Sequence, residues 1–268
     1  MRDLIFLGTG SAMVTKCFNT CFALALEDKE YFLVDAGGGN GILAQFEKTA
    51  ISVSNIHHMF VTHGHTDHVL GVIWVIRKIA AVMNQGKYDG NFHIYCHQEL
   101  ISTLETMTAL TLKKKDLEQI GKRIFFHEVK DGQTESFLGM QLTFFDIQST
   151  KAKQFGFKAV FADGLQLCCL GDEPFQPHCQ QYAEHSDWLL SEAFCRYADR
   201  EIFKPYEKNH STVKEACETA SLLQAKNLIL YHTEDKNMKE RKSAYTKEGQ
   251  VYYSGNIFVP EDLERISL

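Results

Sequence analysis

Proline is scarce in this 268-residue chain, at four residues, and no Ser/Gly/Pro-rich stretch marks a linker. A string of separate domains is therefore disfavoured, and one domain over residues 1–268 is the expectation. The eight cysteines (Cys17, Cys21, Cys96, Cys168, Cys169, Cys179, Cys195 and Cys217) contain no C-x-x-C pair. The chain is too long for a disulfide scaffold, so reduced thiols and a cytoplasmic location are expected. Long apolar runs are missing too. The longest, around Val69 to Met83, is broken by Arg77 and Lys78 and reads as a buried helix, not a membrane span. Met1 to Gly8 reads as a strand meeting the turn Gly8-Thr9-Gly10, not as an export signal. Basic charge is also short. The net charge is −6 and the one compact basic run is Lys113-Lys114-Lys115, which reads as a solvated face and weighs against a long polyanionic partner.

What is present is apolar and strand-rich. Hydrophobic residues make up 44% of the chain, enough for a sizeable core. Strands are expected at Leu4–Leu7, Thr20–Leu26 and Tyr31–Val34, the last two joined by a turn at Asp28-Lys29-Glu30. A short helix should span Ile42–Thr49, a buried strand Met59–Thr62 and a long helix Asp67–Met83. Further strands are expected at Phe92–Cys96, Ile124–His127, Met140–Ile147, Lys158–Ala162, Leu165–Leu170, Trp188–Leu190 and Asn227–Leu230. Helices should cover Gln98–Leu112 and Thr212–Gln224. Strands in blocks with helices interspersed fit an α/β fold of two mixed sheets packed face to face, with helices outside.

The densest chemistry lies in Thr62-His63-Gly64-His65-Thr66-Asp67-His68. Imidazole nitrogens and a carboxylate are the donors that zinc and similar cations take. Gly64 should let this loop turn sharply, and Asp67 should sit at a helix start, where the dipole favours an anion. Asp172 ends an apolar strand after Gly171, where its two oxygens could each take a cation. His232 ends another. His210 precedes Ser211, a candidate helix cap. Gly8-x-Gly10 and Gly37-Gly38-Gly39 lack the context of a phosphate loop and read as turns.

His63-x-His65-x-Asp67-His68 resembles the H-x-H-x-D-H signature of the metallo-β-lactamase superfamily. The rest of the chain resembles its ribonuclease Z-like phosphodiesterase branch. Leu7-Gly8-Thr9-Gly10-Ser11, Val34-Asp35-Ala36-Gly37, Leu170-Gly171-Asp172, Ser191-Glu192-Ala193, His210-Ser211-Thr212 and Leu228 to His232 match that branch in order. The resemblance implies an αββα sandwich. It also implies a metal centre of His63, His65, Asp67, His68, Asp172 and His232, holding one or two zinc ions, with manganese or ferrous iron as other occupants. Asp67 would assist a metal-activated water, His210 would protonate the leaving oxygen and Glu192 would orient His210.

One departure stands out. The branch carries a further metal-ligating histidine before a Gly-aromatic pair. Here that pair is Gly156-Phe157, and the corresponding place near Ser149-Thr150 has no histidine. His127, His185 or a water could substitute, or a single metal could bind. The substrate implied is a phosphodiester: a nucleotide, a cyclic nucleotide or RNA. Only about twenty residues separate Ser149 from Asp172, too few for a tRNA-gripping arm as well as two strands. A smaller diester is therefore favoured over tRNA 3′ processing by a ribonuclease Z activity. A non-catalytic nucleotide-binding member is the third reading. A homodimer is a further implication of the resemblance, and no membrane partner is expected.

Overall fold

The computed structural model describes residues 2–26 and 29–268. Asp28 of the expected hairpin turn lies outside them. The chain forms two compact units, and elements are numbered in chain order.

The first unit runs to Gly8, then covers Phe18–Val129 and Asp262–Leu268. Its strands are β1 (Asp3–Gly8), β2 (Cys21–Ala25), β3 (Tyr31–Val34), β4 (Ile56–Phe60), β5 (Phe92–Cys96), β6 (Ile124–Glu128) and, from the chain's end, β14 (Arg265–Ser267). They form one sheet in the order β14-β1-β2-β3-β4-β5-β6. Pairing is antiparallel from β14 to β3 and parallel from β3 to β6. Its helices are α1 (Gly41–Thr49), α2 (Thr66–Asn84), α3 (Gln98–Thr111) and the short α4 (Lys114–Leu117).

Helix α2 buries Val69, Val72, Val75, Ile76, Ile79 and Met83, the i, i+3, i+4 stripe of an amphipathic helix. Gly71 brings it close to the loop after β3. The Gly71 amide donates to the Gly37 carbonyl at 2.8 Å, and a Cβ at Gly71 would collide with the Ala36 carbonyl. The start of α2, which carries Asp67 and His68, is thereby fixed against Asp35.

The second unit covers Thr9–Cys17 and Lys130–Glu261. Its strands are β7 (Thr134–Phe137), β8 (Met140–Asp146), β9 (Phe155–Phe161), β10 (Gln166–Cys169), β11 (Trp188–Glu192), β12 (Asn227–Tyr231) and β13 (Asn256–Phe258). They pair in the order β13-β12-β11-β10-β9-β8-β7. β7 to β10 are antiparallel and β10 to β13 parallel. Its helices are the short α5 (Gln180–Ala183) and α6 (Arg200–Phe203), then α7 (Val213–Leu222) and α8 (Met238–Gly249). Its core gathers Leu189, Leu228 and Leu230 of the sheet with Val213, Ala216 and Ala220 of α7.

Two mixed seven-stranded sheets with helices bear out the expected fold class. Several boundaries differ. The strand expected at Met59–Thr62 is β4, Ile56–Phe60. The Thr62 amide leaves the ladder to donate to the Asp35 carboxylate. Helix α8 lies in a tail whose sequence shows no apolar stripe, because its buried face is Arg241, Tyr245 and Gly249. Helix α7 is capped by Thr212 with Glu215 in a capping box, not by Ser211, whose amide is taken by Glu192. No helix among the described residues is long and apolar enough to cross a membrane, and the eight cysteines are free thiols.

Candidate metal centre

In the first unit the ligand-type residues follow β4. Asp35, just past β3, is 3% exposed and takes a left-handed backbone with φ 54°. Its Oδ1 accepts from the Thr62 amide at 2.8 Å and its Oδ2 from the Thr62 hydroxyl at 2.8 Å. The same Oδ2 lies 2.8 Å from Nδ1 of His68. Thr62 Oγ1 lies 2.9 Å from Nδ1 of His63. A carboxylate or hydroxyl on Nδ1 fixes the ring and directs Nε2 the other way, as outer partners do for metal-ligating histidines.

The ligand-type atoms lie in two pairs. His63 Nε2 lies 2.8 Å from His65 Nδ1, and His68 Nε2 lies 3.3 Å from Asp67 Oδ2. The His63 and His68 rings are 4.2 Å apart. His63, Asp67 and His68 are buried and His65 is half-buried, and three imidazoles and a carboxylate in one loop are donors of the type that divalent cations take. Gly64 plays a smaller part than expected. A Cβ there would make an ordinary contact with Leu100, and the left-handed residue is Asp35 instead.

In the second unit the residues come from separate strand ends. Asp172 follows β10, Glu192 ends β11 and His232 follows β12, with a left-handed φ of 58°. His232 Nε2 lies 3.5 Å from Asp172 Oδ2. Tyr231 donates its hydroxyl to the Gly171 carbonyl, which steadies the turn into Asp172. Burial, then the neighbouring Cys169, Asp172 and Glu192, push the Tyr231 phenol well above its usual range, so it remains a donor.

Glu192 is fully buried. Its Oε1 accepts from the Ser211 amide, and its Oε2 lies 3.6 Å from Nδ1 of His210. The His210 ring stacks on Phe194 at 5.1 Å, with 13° between planes, and lies 5.2 Å from the His232 ring. Glu192, His210 and His232 offer ligand-type atoms within 4.8 Å of one another.

Several supporting residues carry no motif of their own. Arg241, 3% exposed, donates to the hydroxyls of Thr9 and Thr233 at 3.2 and 2.7 Å and to the Pro260 carbonyl at 2.7 Å, bracing the turn after His232. Where a further histidine is missing, Ser149 donates to Glu173 Oε1 at 2.6 Å. The two substitutes named from the sequence go elsewhere. His127 Nε2 lies 2.8 Å from His93 Nδ1. His185 sits at a left-handed turn after α5 and is exposed. Neither joins a cluster of three or more potential ligands among the described residues.

Residues 2–252 match the family described as Anti-Pycsar protein Apyc1. A ribonuclease Z of Thermococcus sibiricus is 26% identical, with 100% of this chain and 97% of that protein covered. Among solved structures, the metallo-β-lactamase fold protein YhfI of Bacillus subtilis superposes with a TM-score of 0.79 at 16% identity, covering 99% of this chain and 98% of that one. The short form of human tRNase Z gives 0.76 at 22% identity, covering 99% and 98%. The metallo-β-lactamase fold and the resemblance to its ribonuclease Z-like branch are thus borne out.

Proposed function

We propose, for a chain that belongs to the Anti-Pycsar protein Apyc1 family, that its two units act as one metal-dependent phosphodiesterase domain, residues 1–268. Its metal ligands are His63, His65, Asp67, His68, Asp172 and His232, and its general acid is His210. The observations that carry this reading are, in the first unit, the His63–His65 and Asp67–His68 pairs of ligand-type atoms and, in the second, the buried Glu192–His210 pair. Hydrolysis of a diester with a poor leaving group, such as a ribose hydroxyl, calls for both a centre that activates water and a group that protonates the leaving oxygen.

When bound, a divalent cation supplies Lewis acidity toward water and a phosphoryl oxygen. Zinc suits the donor set, with manganese or ferrous iron as alternatives. The rest is done by the chain. Asp35 and Thr62 hold the His63 and His68 rings. Asp67 accepts a proton from the attacking water. Glu192 faces Nδ1 of His210, which leaves Nε2 to deliver a proton to the leaving oxygen.

We favour a small diester, such as a cyclic nucleotide or short oligonucleotide, in the cytoplasm. The stretch between Ser149 and Asp172 is taken up by β9, a tight turn and β10, which leaves no length for an arm, and the net charge is −6. The ribonuclease Z relatives that span the whole chain support a second reading, RNA 3′ processing. A homodimer accompanies either reading.

The test is metal content of the purified chain together with hydrolysis of bis-p-nitrophenyl phosphate, with and without added zinc or manganese. Asp67→Ala should lower turnover by about a thousandfold or more while the far-UV spectrum stays unchanged. Full activity in that variant would overturn the assignment of Asp67, and a wild type with neither metal nor turnover would favour a non-catalytic nucleotide-binding protein.

A further inference from the structure

The geometry points to Glu173 as a positioning residue for His210, acting through Asn209. This rests on the reading of His210 as the general acid.

Glu173 follows Asp172 directly and is 5% exposed. Its two oxygens serve different segments. Oε1 accepts from Ser149 Oγ at 2.6 Å and has Lys151 Nζ at 3.8 Å. Oε2 accepts from Asn209 Nδ2 at 2.8 Å. The same amide also donates to Thr150 Oγ1 at 3.1 Å. Removing a carboxylate from water is costly unless donors replace the hydration, and here three side chains do so.

Asn209 is the residue that turns the chain into His210. Its backbone is left-handed, with φ 53°, a conformation that Asn adopts more readily than most residues. It follows the single turn Tyr206–Lys208, and the next amide, that of His210, donates to the Pro205 carbonyl at 3.0 Å. Its side-chain amide is therefore a tether at the point where His210 is aimed. With that tether, His210 is fixed from three directions: Glu173 through Asn209, Glu192 at Nδ1, and the Phe194 ring. The place where the branch resemblance puts a metal-ligating histidine is used here to anchor the carboxylate that steadies the acid.

A proton donor displaced by about 1 Å can lose a hundredfold in rate. The loss should depend on the leaving group, because p-nitrophenolate departs without a proton whereas a ribose hydroxyl needs one. Asn209→Gly deletes the amide and keeps the left-handed turn. Glu173→Gln removes the charge in place. Each is measured with bis-p-nitrophenyl phosphate, with a dinucleoside monophosphate, for metal per chain, and by NMR of the His210 ring. The ring resonance is identified by its absence in His210→Asn.

The expected result for Asn209→Gly is a loss of about 10- to 100-fold on the dinucleoside and about threefold or less on the activated diester. Metal content should be unchanged and the His210 resonance shifted. Equal losses on both substrates with an unmoved resonance would overturn the assignment, as would metal loss alone in Glu173→Gln. If the wild type cleaves neither substrate, the phosphodiesterase reading fails. The resonance then decides the tether separately: a shift upholds it and no shift overturns it.

Discussion

The two units place their polar residues at the same kind of location and support them differently. In each, the chemistry sits at the carboxyl ends of parallel strands, after β3 and β4 in the first and after β10, β11 and β12 in the second. That is where open parallel sheets generally place ligands. The first unit gathers its set from one contiguous loop, Thr62 to His68, and holds it with a single buried carboxylate, Asp35, whose oxygens serve three groups. The second draws Asp172, Glu192, His210 and His232 from four segments. It holds them with the Ser211 backbone amide, the Phe194 ring and a buried arginine. A contiguous set depends on one brace. A dispersed set depends on many weaker ones.

Four experiments would sharpen or break that contrast. The largest effect should come from Gly71→Ala, which forces α2 away from the Ala36 carbonyl. We expect about 4 kcal/mol of destabilisation in urea unfolding. A loss under about 1 kcal/mol would mean that the close approach is not what fixes the first loop. Arg241→Met, which strips donors from Thr9, Thr233 and Pro260, should cost about 3 kcal/mol. An unchanged unfolding midpoint would remove the arginine from the second unit's supports.

Asp35→Ala should weaken zinc binding by about 10- to 100-fold, the usual consequence of deleting an outer partner of a ligating histidine. Competition with a chromophoric chelator measures it. Unaltered affinity would show that the rings are held by packing instead.

The smallest effect concerns pH. Burial first, then His93, His57 and His127, lower the His58 imidazole from 6.5 to about 4. The unfolded chain therefore binds the proton more readily. Stability is fully present above about pH 6.5 and declines as pH falls toward 4. His58 is partly exposed, so solvent screening reduces the effect to about 1 kcal/mol. The drop in urea midpoint between pH 7 and pH 5 should shrink in His58→Phe. An equal drop in both proteins would place the acid sensitivity elsewhere.

Much of this was legible beforehand because it is local. Strand β3 and helices α1, α2 and α3 follow from apolar period and flanking turns, and the His63 to His68 loop declares itself by density. Asp35 was visible as part of a strand-end match, but its service to both Thr62 and His68 was not, since nothing in Val34-Asp35-Ala36 encodes a partner 27 or 33 residues away. Helix α8 was missed because an Arg, a Tyr and a Gly make up its buried face. The cap of α7 was misplaced by one residue because Ser211 and Thr212 are equally good caps by type. Glu215 settles the choice by completing a box with Thr212.

The sequence by itself determined most of the strands and helices, the ligand-type side chains gathered in one loop and the superfamily that loop resembles. All of these depend on residues near one another in the chain. Tertiary structure alone decided that β10, β11 and β12 lie side by side, so that Asp172, Glu192 and His232 emerge from neighbouring strand ends. It also decided that Ser149, near the place of an absent histidine, donates to Glu173, which in turn reaches Asn209. Such contacts join residues tens of positions apart. They are set by sheet order and burial, which no local period specifies.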